Sequence, residues 1–327
     1  MTSQHDNIAR MDKTGIDRAA HLLQQGDVVA FPTETVYGLG ADATNDMAVA
    51  RIYDVKQRPQ FNPLIVHFRS ADDVWTEAHS TATAKKLAAA FWPGPLTLVL
   101  KKSETCRLSP LVSAGLDSVA VRVPAHAGAQ ALLQAAGLPI AAPSANRSGA
   151  ISPTSAEHVA ASLGNRVPLI LDGGSCSVGL ESTIVDVTGV TPVLLRPGGV
   201  PVEALEDAAG RIALAGPTDT DAPQAPGQLL SHYAPNAGIR LMATDIREGE
   251  LLLGFGAASD AMLNLSPTGD LLEAAANLFA MLHALDSMHP QCIAVSPIPD
   301  TGLGMAINDR LQRAAAPRQD ATLNRRG

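Results

Sequence analysis

The most informative stretch of the sequence is FPTETVYGLGADATNDMAVARIYDVKQRPQFNPLIVHF, residues 31–68. A short apolar strand ends in Pro-Thr-Glu-Thr, a Gly-rich turn follows, and an amphipathic helix then leads to Lys56 and Arg58. A second apolar strand carries His67. Binding groups concentrate on loops and element ends that a rigid scaffold positions. The stretch therefore predicts an α/β scaffold with polar groups gathered at the ends of its strands.

The length of 327 residues favours two domains, and a hydrophobic content of 46% is enough for two cores. Helices mixed with short, turn-linked strands up to about residue 210 predict an α/β layer with a mixed sheet. Residues 1–13 have the pattern of a frayed arm. The segment 210–226 has the Ala, Pro, Asp and Gly content of a linker. We expect domains at 1–210 and 238–327, joined by a linker at 211–237.

Charge and composition exclude several classes of function. The net charge is −8, both parts of the chain are acidic, and no Lys/Arg run contains interleaved aromatic residues. Strong direct binding to nucleic acid is therefore not expected. No apolar run reaches the length of a membrane span, and the N-terminus lacks a secretory h-region. Three dispersed cysteines, Cys106, Cys176 and Cys292, suggest no disulfide framework, which favours a cytoplasmic location.

Several polar residues in and after the opening stretch admit two interpretations. Lys56 and Arg58 suit a helix C-terminus, where cations meet the helix dipole, and they equally suit a phosphate clamp to which Asn62 would contribute. His67 has the pattern of a buried strand histidine or of a binding residue. Thr33 and Thr35 fit local backbone caps as well as ligand contacts.

A second polar cluster and two strand arginines extend this set. The loop Pro-Ser-Ala-Asn-Arg-Ser-Gly at 143–149, with Ser152 beyond it, consists of small residues whose backbone N–H groups could approach an anion. Arg122 lies between valines in a predicted strand, and Arg196 ends another. An unpaired charge inside a strand is costly to bury, so Arg122 requires an anionic partner or a cleft.

The chemistry on offer consists of cations and hydrogen-bond donors. No Asp/Glu pair has the spacing of a dedicated metal site, and no nucleophile motif of the G-x-S-x-G type is present. Such a set suits positioning and charge stabilisation of a polyanion.

An ordered series of motifs resembles the L-threonylcarbamoyladenylate synthases of the long, two-domain type, whose first domain is YrdC-like. The matching segments are PTETVYGLG at 32–40, KxRP at 56–59, NPLIVH at 62–67, WPGPLT at 92–97, VAVRVP at 119–124, APSANxSG at 142–149, ESTIVD at 181–186 and LRPG at 195–198. The linker matches through PG at 226–227 and HYxP at 232–235, and the C-terminal part through GxGxAIxDR at 302–310. The resemblance covers nearly the whole chain.

The resemblance implies a fold, a reaction and a compartment. The expected fold is an open, twisted mixed sheet with helices, followed by a smaller Rossmann-like α/β domain. The expected reaction condenses L-threonine, bicarbonate or CO2, and ATP to threonylcarbamoyl-AMP and pyrophosphate, for threonylcarbamoyladenosine modification of tRNA. Mg²⁺ is expected to arrive with ATP rather than on protein ligands. The product would pass to tRNA threonylcarbamoyl-transfer proteins in the cytoplasm, and no membrane partner is expected.

Residue roles carried over from the resemblance divide into two groups. The expected threonine-binding residues are Thr35, His67, Arg122, Ala142 and Ser182. The expected ATP-binding residues are Lys56, Arg58, Asn62, Ser118, Ser144, Asn146, Ser152, Arg196 and Tyr233, with Lys56 and Arg58 in the catalytic role and Tyr233 as part of a lid. Two alternatives stay open at this point. They are another carbamoyl-adenylate-forming enzyme, which would need further catalytic domains, and an RNA-binding module.

Overall fold

The computed structural model of the chain describes residues 6–58, 62–215 and 233–317. The predictions for Pro59, for the motif at 226–227 and for His232 lie outside these residues, as does most of the predicted linker. No helix among the described residues combines the length and the apolar character needed to span a bilayer.

The first part of the chain alternates strands and helices around one large sheet. Its strands are β1 (Ile8–Arg10), β2 (Val29–Pro32), β3 (Tyr37–Asp42), β4 (Ile65–His67), β5 (Leu96–Lys101), β6 (Ser118–Arg122), β7 (Ile140–Ala141), β8 (Ile170–Asp172), β9 (Thr183–Asp186), β10 (Val193–Arg196) and β11 (Ala213–Leu214). Its helices are α1 (Lys13–Gln24), α2 (Asp46–Lys56), α3 (Ala71–Glu77), α4 (Ala82–Phe91), α5 (Ala127–Ala136), α6 (Ala156–Leu163) and α7 (Val202–Ala209), with 3₁₀ turns at Pro110–Ser113 and Gly164–Arg166.

The strand order in this sheet is β1-β8-β2-β3-β7-β4-β6-β5-β9-β10-β11 among the described residues. The sheet contains parallel pairs such as β4 with β6 and antiparallel pairs such as β5 with β6, so the expected mixed sheet is confirmed. Strand β11 continues the sheet to Leu214, which lies inside the segment predicted as a linker.

Two local predictions were wrong. The stretch after Thr35 is not a turn, because Tyr37–Asp42 forms strand β3 against β2. Its glycines serve close packing, since a Cβ on Gly40 would lie 2.7 Å from the Phe31 ring. The N-terminal arm is also not frayed throughout, because Ile8–Arg10 pairs with β8 as an edge strand.

Helix α2 ends at Lys56, as the sequence predicts. Asn45 caps its start by accepting from two backbone N–H groups, and Gln57 ends it in a left-handed conformation with φ of 52°. The Arg58 N–H then donates to Tyr53 O at 2.9 Å. This tight C-terminal turn directs the side chains of Lys56 and Arg58 into the protein, where both are buried.

The C-terminal part is a four-stranded parallel sheet of order β12-β15-β13-β14 within the described residues. Its elements are β12 (Gly238–Arg240), β13 (Glu250–Gly254), β14 (Leu263–Asn264), α8 (Leu271–Ser287), β15 (Cys292–Val295) and α9 (Leu303–Ala315). Its core also includes Val36, Ile151 and Leu180 from the first part of the chain. The two parts thus share one hydrophobic cluster across their contact.

Candidate active site

A cleft opens where several strands of the large sheet end. Strands β4 and β6 are parallel, and their register pairs His67 with Arg122 at the last residue of each strand. Arg196 ends β10, and Ser182 directly precedes β9. The cleft is lined by Thr33, Thr35, Val36, Gly38, Arg58, Ile65, His67, Arg122, Ala142, Pro143, Ser144, Glu181, Ser182, Arg196 and Tyr233.

Arg122 has the anionic partner that its buried position requires. Its Nη2 donates to Glu34 Oε1 at 2.6 Å, its Nη1 to Thr35 Oγ1 at 2.8 Å, and its Nε to Gly94 O at 3.1 Å. Burial alone would raise the pKa of Glu34, but the adjacent guanidinium outweighs it and holds that pKa below the ordinary value. Glu34 and Arg122 therefore form a buried charged pair, of which Arg122 lines the cleft.

His67 is held neutral beside this pair. Burial, followed by the positive charge of Arg122, lowers the pKa of His67 to about 3. The Phe31 ring packs edge-on against the imidazole, with ring centroids 6.4 Å apart. The buried Nδ1 has no hydrogen-bond partner among the described residues. An uncharged imidazole at this place can accept or donate a hydrogen bond without adding to the local charge.

Arg58 lines the cleft, and the nearby Asn62 is buried without lining it. The Arg58 Nη2 donates to Pro63 O at 3.1 Å, and burial lowers the pKa of the guanidinium to about 10. The side-chain amide of Asn62 is fully buried, and both its polar atoms lack partners in the described part of the chain. Buried polar groups in native proteins are almost always paired, so this unpaired amide is a candidate for contact with a ligand.

Lys56 fixes the loop that carries the second polar cluster. Its Nζ donates to Ser144 O and to Asn146 O, each at 2.5 Å. The Asn146 Nδ2 in turn donates to Ala150 O at 2.7 Å. Burial, followed by the charge of Arg58, lowers the pKa of Lys56 well below its ordinary value. The lysine thus ties α2 to the 143–150 loop from behind the cleft surface.

Arg196 organises the opposite wall. Its Nη2 donates to Ser182 O at 2.8 Å and to Ser182 Oγ at 3.2 Å, while that hydroxyl pairs with Thr97 Oγ1 at 2.7 Å. Burial lowers the pKa of Arg196. The wall therefore presents a guanidinium and a hydroxyl that are fixed relative to each other.

Tyr233 and Ser152 connect the cleft to the C-terminal part. Tyr233 is almost fully buried, and its ring lies 5.6 Å, centroid to centroid, from that of Phe279 on α8. The Ser152 hydroxyl donates to Glu181 Oε1 at 2.5 Å. One rim of the cleft therefore depends on residues from both parts of the chain.

The structure brings most of the expected residues together. Those that line the cleft are Thr35, Arg58, His67, Arg122, Ala142, Ser144, Ser182, Arg196 and Tyr233. Those that do not line it are Lys56, Asn62, Ser118, Asn146 and Ser152. Ser118 begins β6 opposite Lys101, at the end of that strand away from Arg122.

The sequence analysis gave no role to Glu181, which lines the cleft, or to Glu34, which is paired with Arg122. The available signal was the buried charge of Arg122, which demands a carboxylate, and Glu34 lies between two threonines already considered. Each of these carboxylates is in an ion pair with an arginine. No cluster of three His, Cys, Asp or Glu suited to a metal ion occurs among the described residues.

Two family models together match most of the chain. The Sua5/YciO/YrdC model, described as "Telomere recombination", matches residues 21–198, and the model of the threonylcarbamoyl-AMP synthase C-terminal domain matches residues 200–316. The chain belongs to the threonylcarbamoyl-AMP synthase family. Membership confirms the resemblance to the long, two-domain type and the expected function, synthesis of threonylcarbamoyl-AMP by a nucleotidyl-transfer enzyme.

Individual relatives agree with this assignment over almost their entire length. The threonylcarbamoyl-AMP synthase of Pyrococcus abyssi is 42% identical, with 94% of this chain and 96% of the relative covered. The Bacillus subtilis enzyme of the same name is 41% identical, with 93% of each chain covered. The crystal structure of P. abyssi Sua5 complexed with L-threonine superposes with a TM-score of 0.87 at 40% identity, covering 94% of this chain and 96% of that one. The expected fold class is confirmed by this match.

Proposed function

We propose that the cleft binds L-threonine beside ATP and joins them through a carbamate, releasing pyrophosphate. The observation that carries this proposal is the convergence of Arg58, Arg122 and Arg196 on one cleft, together with a neutral histidine and several hydroxyls. Three guanidinium groups suit one carboxylate and one triphosphate, because arginine binds both anions through paired hydrogen bonds.

The threonine end of the cleft is proposed to surround Arg122. Its guanidinium would bind the amino-acid carboxylate, while Thr35 and Ser182 supply hydroxyls. The neutral state of His67 suits a neighbour of the threonine amine, which must itself be uncharged to react. The proposed threonine-binding residues are Thr35, His67, Arg122, Ala142 and Ser182. The crystal structure of the P. abyssi relative, described as complexed with L-threonine, supports threonine as the ligand.

The nucleotide end is proposed to lie between Arg58 and Arg196. Lys56 would act chiefly through the 143–150 loop whose carbonyls it holds, and an incoming triphosphate would favour its charged form. Lys56 and Arg58 keep the catalytic role proposed from sequence. The proposed ATP-binding residues are Lys56, Arg58, Asn62, Ser118, Ser144, Asn146, Ser152, Arg196 and Tyr233.

The proposed reaction has two steps. The threonine amine attacks the carbon of CO2 or of bicarbonate to form a carbamate. With CO2 the nitrogen loses a proton, and with bicarbonate the leaving hydroxide takes that proton and departs as water. A carbamate oxygen then attacks the α-phosphorus, and the bond to the β-phosphate oxygen breaks to release pyrophosphate. The buried arginines would stabilise negative charge as it moves onto the leaving group. Tyr233 would help to exclude water from the mixed anhydride.

We propose that ATP enters as its magnesium complex. Glu181, which lines the cleft, is paired with an arginine, and no cluster of three His, Cys, Asp or Glu suited to a metal ion occurs among the described residues. We therefore propose no protein ligand for the magnesium ion, and the steps above use none. Delivery of the product to tRNA threonylcarbamoyl-transfer proteins and a cytoplasmic location also remain proposals. Three free cysteines fit a reducing compartment.

Pyrophosphate release tests the proposal directly. The purified protein would be incubated with Mg-ATP and bicarbonate, with threonine, with serine or without an amino acid. We expect release that depends on threonine and bicarbonate, with threonylcarbamoyl-AMP detected by mass spectrometry. Release at the same rate without an amino acid, or with no adenylated product, would refute the proposed reaction.

A further inference from the structure

Arg310, the last residue of the motif at 302–310 on helix α9, has a charged side chain with no accessible surface. Its Nε donates to Glu181 Oε2 at 2.9 Å, and its Nη1 donates to Asp309 Oδ2 at 2.6 Å. Glu181 lines the cleft, so a residue of the C-terminal part is bonded directly to a cleft residue. The reaction described above gives this motif no part.

The contact of Arg310 extends to two residues on the nucleotide side. Glu181 accepts from Arg310 through one carboxylate oxygen and from the Ser152 hydroxyl through the other, at 2.5 Å. The Arg310 guanidinium also lies 5.3 Å from the centroid of the Tyr233 ring, within cation–π range. Ser152 and Tyr233 are therefore both held, directly or through Glu181, by the same side chain.

Stability alone is a weak reason for such an arrangement. Replacing a buried ion pair by apolar residues of similar volume is often neutral or stabilising, because both charges must be taken out of water. Arg310 Nη2 also has no hydrogen-bond partner among the described residues. One donor of the guanidinium is therefore buried without compensation, which lowers the stability that the ion pair could provide. What the pair does provide is a fixed geometry for the groups on either side of it.

We propose that Arg310 is a positioning residue through which the C-terminal domain sets Glu181, Ser152 and Tyr233 for nucleotide binding. This inference rests on the proposed function for the identity of the nucleotide. It assigns the C-terminal domain a part in building the active site. Arg122, at the centre of the threonine end, has no hydrogen bond to this network in the described residues, so we expect a larger effect on nucleotide binding than on threonine binding.

Substitutions that separate folding from positioning test the inference on the full chain. Arg310→Met leaves the Glu181 carboxylate buried and unpaired, and it is expected to destabilise the protein. The double variant Arg310→Met, Glu181→Gln removes both charges and is expected to regain stability. Arg240→Met serves as the control, because Arg240 forms a 2.6 Å ion pair with Glu250 within the C-terminal sheet and has no contact with the cleft.

Two readouts are needed, calorimetric binding of α,β-methylene-ATP and the KM values for ATP and threonine. In the stable double variant we expect nucleotide affinity to fall about tenfold, the equivalent of 1.4 kcal/mol, with the threonine KM within about twofold of wild type. Arg310→Lys should retain part of the affinity because it keeps a cation near Tyr233 and Glu181.

Wild-type nucleotide affinity in a folded double variant would overturn the inference. Equal increases in the KM values for ATP and threonine in that variant would overturn it as well. A wild-type protein that binds the analogue but forms no product would count against the proposed function alone. In that case the calorimetric comparison of the Arg310 variants would still decide whether Arg310 positions the nucleotide groups.

Discussion

Four cations of the cleft region, Lys56, Arg58, Arg122 and Arg196, are buried. Arg122 is paired with a carboxylate, whereas Lys56 and Arg58 donate to carbonyl oxygens. Burial lowers the pKa of Lys56 and Arg58, which means that the folded protein bears a cost for keeping these groups charged. An anionic ligand offsets that cost, so the arrangement favours binding of a polyanion.

Substitution of single arginines should affect the KM values of the two substrates separately. Arg58→Ala is expected to raise the KM for ATP about tenfold to a hundredfold, because a charge-assisted hydrogen bond contributes roughly 1.5–3 kcal/mol. Arg122→Ala is expected to do the same for threonine. Steady-state pyrophosphate release measures both constants, and Arg51→Ala, which removes an exposed cation of α2, serves as the control. Equal changes for both substrates in either variant would contradict the division of the cleft.

The neutral state of His67 makes the stability of the fold depend on pH. Its pKa is about 3 when folded and 6.5 as the reference value, so between these values the unfolded chain binds a proton that the folded protein does not. The contribution of neutral, buried His67 to the free energy of unfolding is fully present above pH 6.5 and is lost as the pH falls. Urea unfolding should show a loss of up to about 2 kcal/mol between pH 6.5 and about pH 5 that His67→Asn removes. Identical pH slopes in wild type and His67→Asn would show that this histidine is not held neutral.

At the scale of elements, strand β3 is the element that the sequence analysis mistook for a turn. Its two glycines suggest a turn, but neither has a positive φ, and the space beside them is filled by neighbouring strands. Gly38 lies 3.1 Å from Ala142 and Gly40 lies against Phe31, measured to the position of a Cβ. The glycines therefore permit β2, β3 and β7 to approach closely beside the cleft.

Gly40→Ala should overpack this contact and reduce the free energy of unfolding by about 1–3 kcal/mol. Phe31→Leu in the same chain should recover part of the loss, because the added methyl group meets the Phe31 ring and the Ile140 side chain. A double-mutant cycle by urea unfolding measures the coupling between the two positions. Gly189→Ala, at an exposed position with its nearest neighbour 3.9 Å away, should be close to neutral. Strict additivity of Gly40→Ala and Phe31→Leu would reject the packing explanation.

The same elements show which parts of the fold and of the site could be predicted from the sequence. The motif positions and the ends of α2, β4 and β6 were predictable from local patterns, because caps and apolar runs are local. The partner of Arg122 was not, since Glu34 lies 88 residues away and only the sheet brings the two together. Arg310 was beyond prediction for a similar reason. An arginine on an amphipathic helix is normally exposed, and its burial follows from docking of α9 against the first part of the chain.

At the scale of the whole molecule, the two parts meet through a tight backbone contact as well as through side chains. Gly179, with φ of 70°, lies against α8 so closely that a Cβ would be 2.5 Å from Ala276 O. Leu180 follows in the shared hydrophobic cluster, and Glu181 then binds Arg310. Three consecutive residues thus couple the domain contact to the cleft wall.

Gly179→Ala should weaken both stability and nucleotide binding. Gly174 provides a matched control, because it has φ of 81° in the same loop but nothing within 4 Å of the place a Cβ would occupy. Gly174→Ala is expected to cost about 1–2 kcal/mol for the left-handed backbone. Gly179→Ala should cost about 1–3 kcal/mol more because α8 must shift. Urea unfolding measures the difference, and equal costs for the two variants would show that the domain contact tolerates displacement.

The shared hydrophobic cluster has a consequence for how such chains can be recombined. Val36, Ile151 and Leu180 of the first part are packed against α8 and α9, so they are matched to the shape of one particular C-terminal domain. A chimera that takes its C-terminal domain from a distant relative would bring a foreign surface to these positions. Transplanting residues 151 and 179–181 together with that domain should restore solubility and turnover to such a hybrid, whereas moving the domain alone should not.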